Sequence, residues 1–97
     1  MQINSKTIIQ EIYSDALNYG LVNTQQDFSK LAGRNVHWYS WIKSHDYDPS
    51  TESVLTLANS LQEISNQNKS KVVRQTIKSD VQKLYGILAA RTAINQC

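Results

Sequence analysis

The side chains most able to take part in catalysis or ligand binding lie close together, between residues 34 and 46. His37 and Ser40 stand three residues apart, a spacing that would place a base beside a hydroxyl nucleophile on one helix. No acid that would orient the histidine and no oxyanion donor accompanies them. We therefore expect that the chain is not an enzyme.

The histidines of this stretch are also candidate metal ligands. His37 and His45 are eight residues apart, with Asp46 beside the second one. About two helical turns separate the two rings, too far for a compact site. The single cysteine, Cys97, is the last residue and has no partner for an internal disulfide. We expect no metal and no cofactor, and a reducing, cytoplasmic setting.

The same stretch carries side chains that can read nucleic-acid bases. Asn35 suits an adenine edge, and Trp41 or Trp38 can contact a thymine methyl group or pack on sugar. The alternative is that both tryptophans are buried in the hydrophobic core and have no role in binding. Residues 38, 39 and 41 span about 300° of helix rotation and cannot all face inward. We therefore expect Trp41 to be exposed.

Helical patterns surround this stretch. No segment shows the alternation of apolar and polar residues that is typical of a strand. Apolar residues from Ile8 to Tyr19 recur at spacings of three and four, and Gly20 suits a C-terminal cap. Asn23 or Thr24 can cap a short second helix from 25 to about 32, which Gly33 ends. A third helix, 36 to about 44, would be capped by Asn35. Where the second and third helices pack together, we expect the buried residues to be Phe28, Leu31, Tyr39 and Ile42.

The second half of the chain predicts two further helices. After a turn at 46–50, Ser50 or Thr51 caps the fourth helix, and a polar joint at 65–68 precedes a long helix from about 70 to 95. Spacings of four, four, three and four define an apolar stripe on the long helix: Val73, Ile77, Val81, Leu84 and Leu88. The stripe can pack on its own domain, form a homodimer or bind a partner protein. We assign it to dimerisation.

Length and charge set further bounds. The 97 residues suit one small core, and no run of about 18 apolar residues could span a membrane. The first residues lack a signal-peptide pattern. Residues 1–65 carry a net charge of −3 and residues 66–97 a net charge of +5. The basic part can attract phosphate or an acidic partner, or can simply be a solvated helix face.

Three segments together resemble a known family. They are Thr24-Gln25-Gln26-Asp27-Phe28-Ser29-Lys30-Leu31-Ala32-Gly33, Tyr39-Ser40-Trp41-Ile42, and Pro49-Ser50-Thr51-Glu52-Ser53-Val54-Leu55-Thr56-Leu57-Ala58-Asn59-Ser60-Leu61. In this order and at these separations, they resemble the Cro/phage-repressor (XRE-type) helix-turn-helix family over about residues 8–64. The resemblance implies an all-α, lambda-repressor-like domain of about four short helices at 1–66, followed by a long C-terminal helix at 67–97.

The resemblance also implies roles for individual residues. In such a unit the first helix crosses the phosphate backbone and the second lies in the major groove. Base contacts are expected from Asn35, Val36, His37 and Trp41, with Trp38 and Ser40 as second choices. Phosphate contacts are expected from Gln25, Lys43 and Arg34, the last of which stands where the family pattern has an apolar residue. The DNA-binding hypothesis adds Lys30 as a further phosphate contact.

The leading hypothesis is a sequence-specific, repressor-like transcriptional regulator that binds double-stranded DNA as a homodimer, because two half-sites call for two-fold symmetry. The alternative is a protein-binding adaptor or anti-activator built on the same scaffold, since fold alone does not fix function. The acidic first 65 residues and the aromatic third helix favour that alternative.

Overall fold

A computed structural model describes residues 5–45 and 48–94, and these residues form an all-α structure. The helices of the described ranges are α1 (Ser5–Asn18), α2 (Gln25–Leu31), α3 (Trp38–Ser44), α4 (Thr51–Gln67) and α5 (Lys71–Ile94). None of them is long and apolar enough to cross a membrane. Cys97 and the first two residues of the turn predicted at 46–50 lie outside the described residues.

Two glycines end the helices that precede them. Gly20 and Gly33 have φ angles of +71° and +70°, which other residues rarely adopt. At Gly33 the amides of residues 33 and 34 donate to the carbonyls of Lys30 and Ser29, and the amides of residues 20 and 21 make the equivalent pair. Both ends are Schellman caps, in which a left-handed glycine satisfies the last helical carbonyls. The corner that the sequence predicts at Gly33 is confirmed.

The third helix begins later than the sequence predicts. Its first residue is Trp38 rather than Val36, because Asn35 closes a separate turn before it. The side-chain oxygen of Asn35 accepts from the amide of His37 at 2.8 Å, and the Asn35 carbonyl accepts from the amide of Trp38 at 3.1 Å. This is a side-chain turn of the kind asparagine favours. Asn35 therefore caps a turn, and α3 is only seven residues long.

The last two helices form an antiparallel pair. Near their connection, the Ser65 hydroxyl donates to the carbonyl of Arg74 at 3.3 Å. At the opposite ends, Arg91 near the end of α5 donates to the Thr51 hydroxyl at the start of α4 and to the carboxylate of Asp48, each at 3.0 Å. The pair buries apolar faces from both helices. On α4, the Ser60 hydroxyl also donates to the carbonyl of Leu31 at the end of α2 at 2.8 Å, which ties α4 to α2.

The stripe assigned to dimerisation lies in the core of the single chain. Ile77, Val81 and Leu84 are 0% exposed, and Val73 and Leu88 are partly buried against the same core. The stripe packs on its own chain, the first of the three alternatives, because α5 lies along α4 and α1. The dimer surface predicted from these residues is therefore corrected: a dimer through them would require α5 to leave its own core.

The predicted division at residues 66 and 67 does not separate two cores. It falls at the end of α4, and one apolar cluster includes residues of the first part, such as Ile12 and Leu57, together with Ile77 and Val81 of the second. The long C-terminal helix completes the core that α1 to α4 begin. Residues 5–45 and 48–94 thus form one packed unit.

Candidate nucleic-acid interface

A buried serine fixes the angle between α2 and α3. The Ser29 hydroxyl is fully buried, donates to the carbonyl of Gln25 at 3.0 Å and accepts from the amide of Tyr39 at 3.0 Å. Tyr39 is the second residue of α3, and its amide is one of the donors that the start of a helix leaves without a helical partner. His37, the residue at the N-cap position, makes no side-chain cap. Ser29 thus caps α3 from the neighbouring helix.

Aromatic packing holds the inner face of α3. The Tyr39 ring lies between Tyr13 of α1 and Phe28 of α2, with centroid distances of 4.6 Å and 5.2 Å. Burial, and then the neighbouring Tyr13, raise the pKa of Tyr39 to about 12, so its hydroxyl stays neutral. Ile42 is also completely buried, and Leu31 is partly buried. The interior predicted for the α2–α3 pair is confirmed.

The turn between α2 and α3 is tied to the start of α4 by Arg34. Its guanidinium donates to the hydroxyls of Ser53 at 2.6 Å and Ser50 at 2.8 Å, and lies 3.9 Å from the carboxylate of Glu52. Ser50 is itself the N-cap of α4. The side chain of Arg34 remains 37% exposed. Its first role is therefore to brace the turn, and any phosphate it contacts would compete with these hydroxyls.

The outer side of the turn and α3 form an open cleft. The cleft has a volume of about 340 Å³ and is lined by Arg34, Asn35, His37, Trp38 and Trp41. Five residues that the sequence singles out are thus brought together around one space. Trp41 is 47% exposed, as the sequence predicts. Trp38 is half-buried, with its ring 6.5 Å from that of Phe28.

His45, which the sequence suggests only as a metal ligand, packs against the exposed Trp41. The ring of His45 stacks on the ring of Trp41 with a centroid distance of 4.1 Å and an interplanar angle of 10°. The Nδ1 atom of His45 lies 3.0 Å from the carbonyl of Trp41. His45 therefore helps to hold the Trp41 side chain in one orientation. The spacing of four along the helix end is the sequence signal for this pair.

The other predicted site residues lie near the cleft without lining it. Gln25 is half-buried at the start of α2, and Val36 is half-buried in the turn. The Ser40 hydroxyl donates to the carbonyl of His37 at 3.0 Å. Lys43 is exposed, with its ammonium 5.9 Å from the centroid of the Tyr39 ring. With Lys30, five of the ten residues predicted to contact DNA are thus outside the cleft lining.

Each of the two short helices carries one exposed lysine. Lys30 near the end of α2 and Lys43 near the end of α3 are exposed. Glu52 also lies at this end of the molecule, where it faces Arg34. Among the residues that the structure describes, no group of three or more metal-ligating side chains is arranged to hold an ion. The surface is thus aromatic and weakly basic.

The fold and the cleft define an all-α protein with an exposed aromatic surface on a braced pair of short helices. The chain belongs to the family of unknown function DUF6626, whose model matches residues 9–96. The match covers most of α1 and all of α2, α3, α4 and α5. No curated protein and no solved structure matches the chain.

Proposed function

We propose that this protein is a cytoplasmic, repressor-like transcriptional regulator that binds duplex DNA, with α2 and α3 acting as a lambda-repressor-like helix-turn-helix. The observation that carries the proposal is the open cleft on the outer face of α3, lined by two indoles, a guanidinium, an amide and an imidazole. These groups stand on a unit whose inner face is locked by Ser29 and Tyr39. In a helix-turn-helix, recognition needs this division into a fixed inner face and an accessible outer one.

The dimensions of α3 suit the major groove. An α-helix with its side chains is about 10–12 Å across, and the major groove of B-DNA is about 12 Å wide, so α3 can lie in the groove. Trp41 and His37 are exposed on this helix and at its N-cap, so base edges can approach them, and Lys43, also exposed, is the predicted phosphate contact. The proposal uses the short helix together with the turn that precedes it, where Asn35 lies.

The charge of the surface sets the expected strength of binding. Lys30 and Lys43 would each neutralise one phosphate, and Arg34 would add a third where its bond to the hydroxyls yields. Each released counterion contributes about −0.9 to the slope of log K against log salt. We therefore expect a slope of about −2 to −3, smaller than for strongly basic regulators.

The experiment is a fluorescence-anisotropy titration of labelled random duplex DNA at about 50 mM and about 200 mM salt. Binding that weakens with salt, and that Lys43→Ala weakens further, is the expected result. Lys78→Ala is the matched control, because Lys78 is exposed on α5, a helix that packs on α4 and α1. Binding that is lost equally in both variants would place the DNA elsewhere on the molecule.

The second candidate function is a protein-binding adaptor on the same scaffold. It is favoured by Arg34, the predicted phosphate contact, whose guanidinium already donates to Ser50 and Ser53, and by the net negative charge of residues 1–65. An absence of duplex binding at about 50 mM salt would favour this function over the first.

A homodimer, which a repressor would use to read two half-sites, remains part of the proposal. Its contacts would come from residues outside the Val73–Leu88 stripe, because the described structure buries that stripe. Sedimentation at several protein concentrations measures the association state directly.

A further inference from the structure

Three hydrogen-bonding side chains of α3 and the turn before it are engaged within the chain. The Asn35 oxygen accepts from the amide of His37, and the Ser40 hydroxyl donates to the carbonyl of the same residue. The Ser44 hydroxyl donates to the carbonyl of Ser40 at 2.9 Å. A bidentate contact with adenine needs the oxygen and the nitrogen of an amide together. The described face therefore has few polar groups arranged for direct base reading.

The guanidinium of Arg34 is restricted in the same way. A bidentate contact with guanine uses two N–H groups of one arginine. Here Nε donates to Ser53 and one terminal nitrogen donates to Ser50. Reading guanine would break the brace between the turn and α4. The geometry therefore disfavours the commonest polar contact to a G·C pair.

Apolar surface is what the face presents most prominently. Trp41 is 47% exposed and is held in place by the His45 ring stacked on it. Trp38 forms another wall of the same cleft. Among the four standard bases, thymine presents a methyl group in the major groove, at its C5 position. An indole held open to solvent beside a cleft is suited to cover such a group.

We propose that the cleft between Trp38 and Trp41 reads the C5-methyl group of pyrimidines in the major groove. This inference rests on the proposed DNA-binding function and names the chemical group that the site recognises. Because 5-methylcytosine carries its methyl group at the same ring position as thymine, the cleft accepts both. Binding would thus respond to cytosine methylation as well as to A·T content.

The test uses four duplexes of equal length in the anisotropy assay at about 50 mM salt. One duplex has A·T pairs, and one has deoxyuridine at every thymine. The other two have G·C pairs, with cytosine or with 5-methylcytosine. Burying one methyl group corresponds to about a fourfold gain in affinity. We expect at least about fourfold tighter binding to the thymine duplex than to the deoxyuridine duplex, and a gain of similar size from methylating cytosine.

Two variants connect the discrimination to the cleft. Trp41→Ala should bring the ratio between thymine and deoxyuridine duplexes close to one. Tyr85→Ala is the matched control, since Tyr85 is an aromatic residue that is 39% exposed on α5. It should leave the ratio unchanged, and circular dichroism would verify that both variants are folded.

The outcomes separate this inference from the proposed function. Equal binding of the wild-type protein to thymine and deoxyuridine duplexes overturns methyl reading while leaving DNA binding in place. Discrimination that persists in Trp41→Ala also overturns it, because the methyl group is then read elsewhere. Binding to none of the four duplexes refutes the DNA-binding function itself, and the inference with it.

Discussion

A buried carboxyl group on α5 gives the sharpest test of how this core is assembled. Asp80 is 1% exposed, and its Oδ2 atom has no hydrogen-bond partner within the described structure. Its Oδ1 atom lies 3.8 Å from the ammonium of Lys83, which also lies 3.6 Å from the carboxylate of Glu11 on α1. The carboxyl of Asp15 is a further neighbour. Asp80 thus sits among acidic groups with one shared cation.

This environment raises the pKa of Asp80 from 3.8 to about 7. Burial is the largest cause, followed by Asp15, and Glu11 adds repulsion that Lys83 opposes. Between pH 4 and pH 7 the folded state therefore keeps a proton that the unfolded state releases. By linkage, the contribution of Asp80 to the free energy of unfolding is fully present below about pH 4. It is lost as the pH rises through about 7.

The magnitude follows from the size of the shift. About three pKa units at 1.36 kcal/mol each correspond to about 4 kcal/mol between the two limits. Asp80→Asn removes the titration but leaves a buried amide without full hydrogen bonding, which costs about 1–3 kcal/mol. We therefore expect the variant to exceed the wild type by about 1–3 kcal/mol in free energy of unfolding at pH 8. At pH 5 the wild type has lost only about 1.6 kcal/mol of this contribution, so the two should differ by less than about 1.5 kcal/mol.

The assay is urea denaturation followed by circular dichroism at pH 5, 6, 7 and 8. Glu63→Gln is the control, because Glu63 is an exposed carboxylate on α4 and should change stability little at any of these pH values. The reasoning is refuted where Asp80→Asn is less stable than the wild type at pH 8. That result would mean that Asp80 is ionised and that its pairing with Lys83 outweighs the cost of burial.

Three further substitutions test the packing that positions the candidate interface. Ser29→Ala removes the acceptor of the Tyr39 amide and should cost about 1–2 kcal/mol in unfolding free energy, measured by denaturation. Gly33→Ala places a side chain at φ +70°, with its Cβ 3.1 Å from Thr56, and should cost about 1–2 kcal/mol or more, seen as a lower Tm. Leu84→Ala should lower the free energy of unfolding by about 2–5 kcal/mol, because Leu84 is buried in the core. If Leu84 were instead a surface contact of a dimer, the substitution would abolish the dimer in sedimentation and leave the stability of the monomer unchanged.

The local signals in the sequence predict the helices and corners well. Gly20 and Gly33 mark positive-φ caps, and Thr24 and Ser50 are N-caps whose hydroxyls accept from the amide three residues on. These features depend on residues that are adjacent in sequence, so local rules capture them. The aromatic and polar lining of the cleft was also predictable, because spacing along one turn and one helix determines which side chains share a face.

The features that the sequence left open depend on contacts between distant segments. An apolar stripe on a long helix has the same spacing whether it packs on its own chain or on a second copy, so Val73–Leu88 alone could not distinguish the two. Asp80 is three residues after Ile77 and therefore shares its buried helix face. This spacing is the sequence signal that could have predicted a buried carboxyl group. Ser29 could not be identified as the cap of α3, because a cap is normally sought just before the helix it serves.

The most direct test of the central claim is a nuclear magnetic resonance titration of the protein with duplex DNA at low salt. The chain has two tryptophans, so two indole N–H signals report on the cleft. We expect the signals of Trp38 and Trp41 and the amides of residues 34–43 to shift together as duplex is added. Shifts confined to α5, with both indole signals unmoved, would contradict the claim that the outer face of α3 meets DNA.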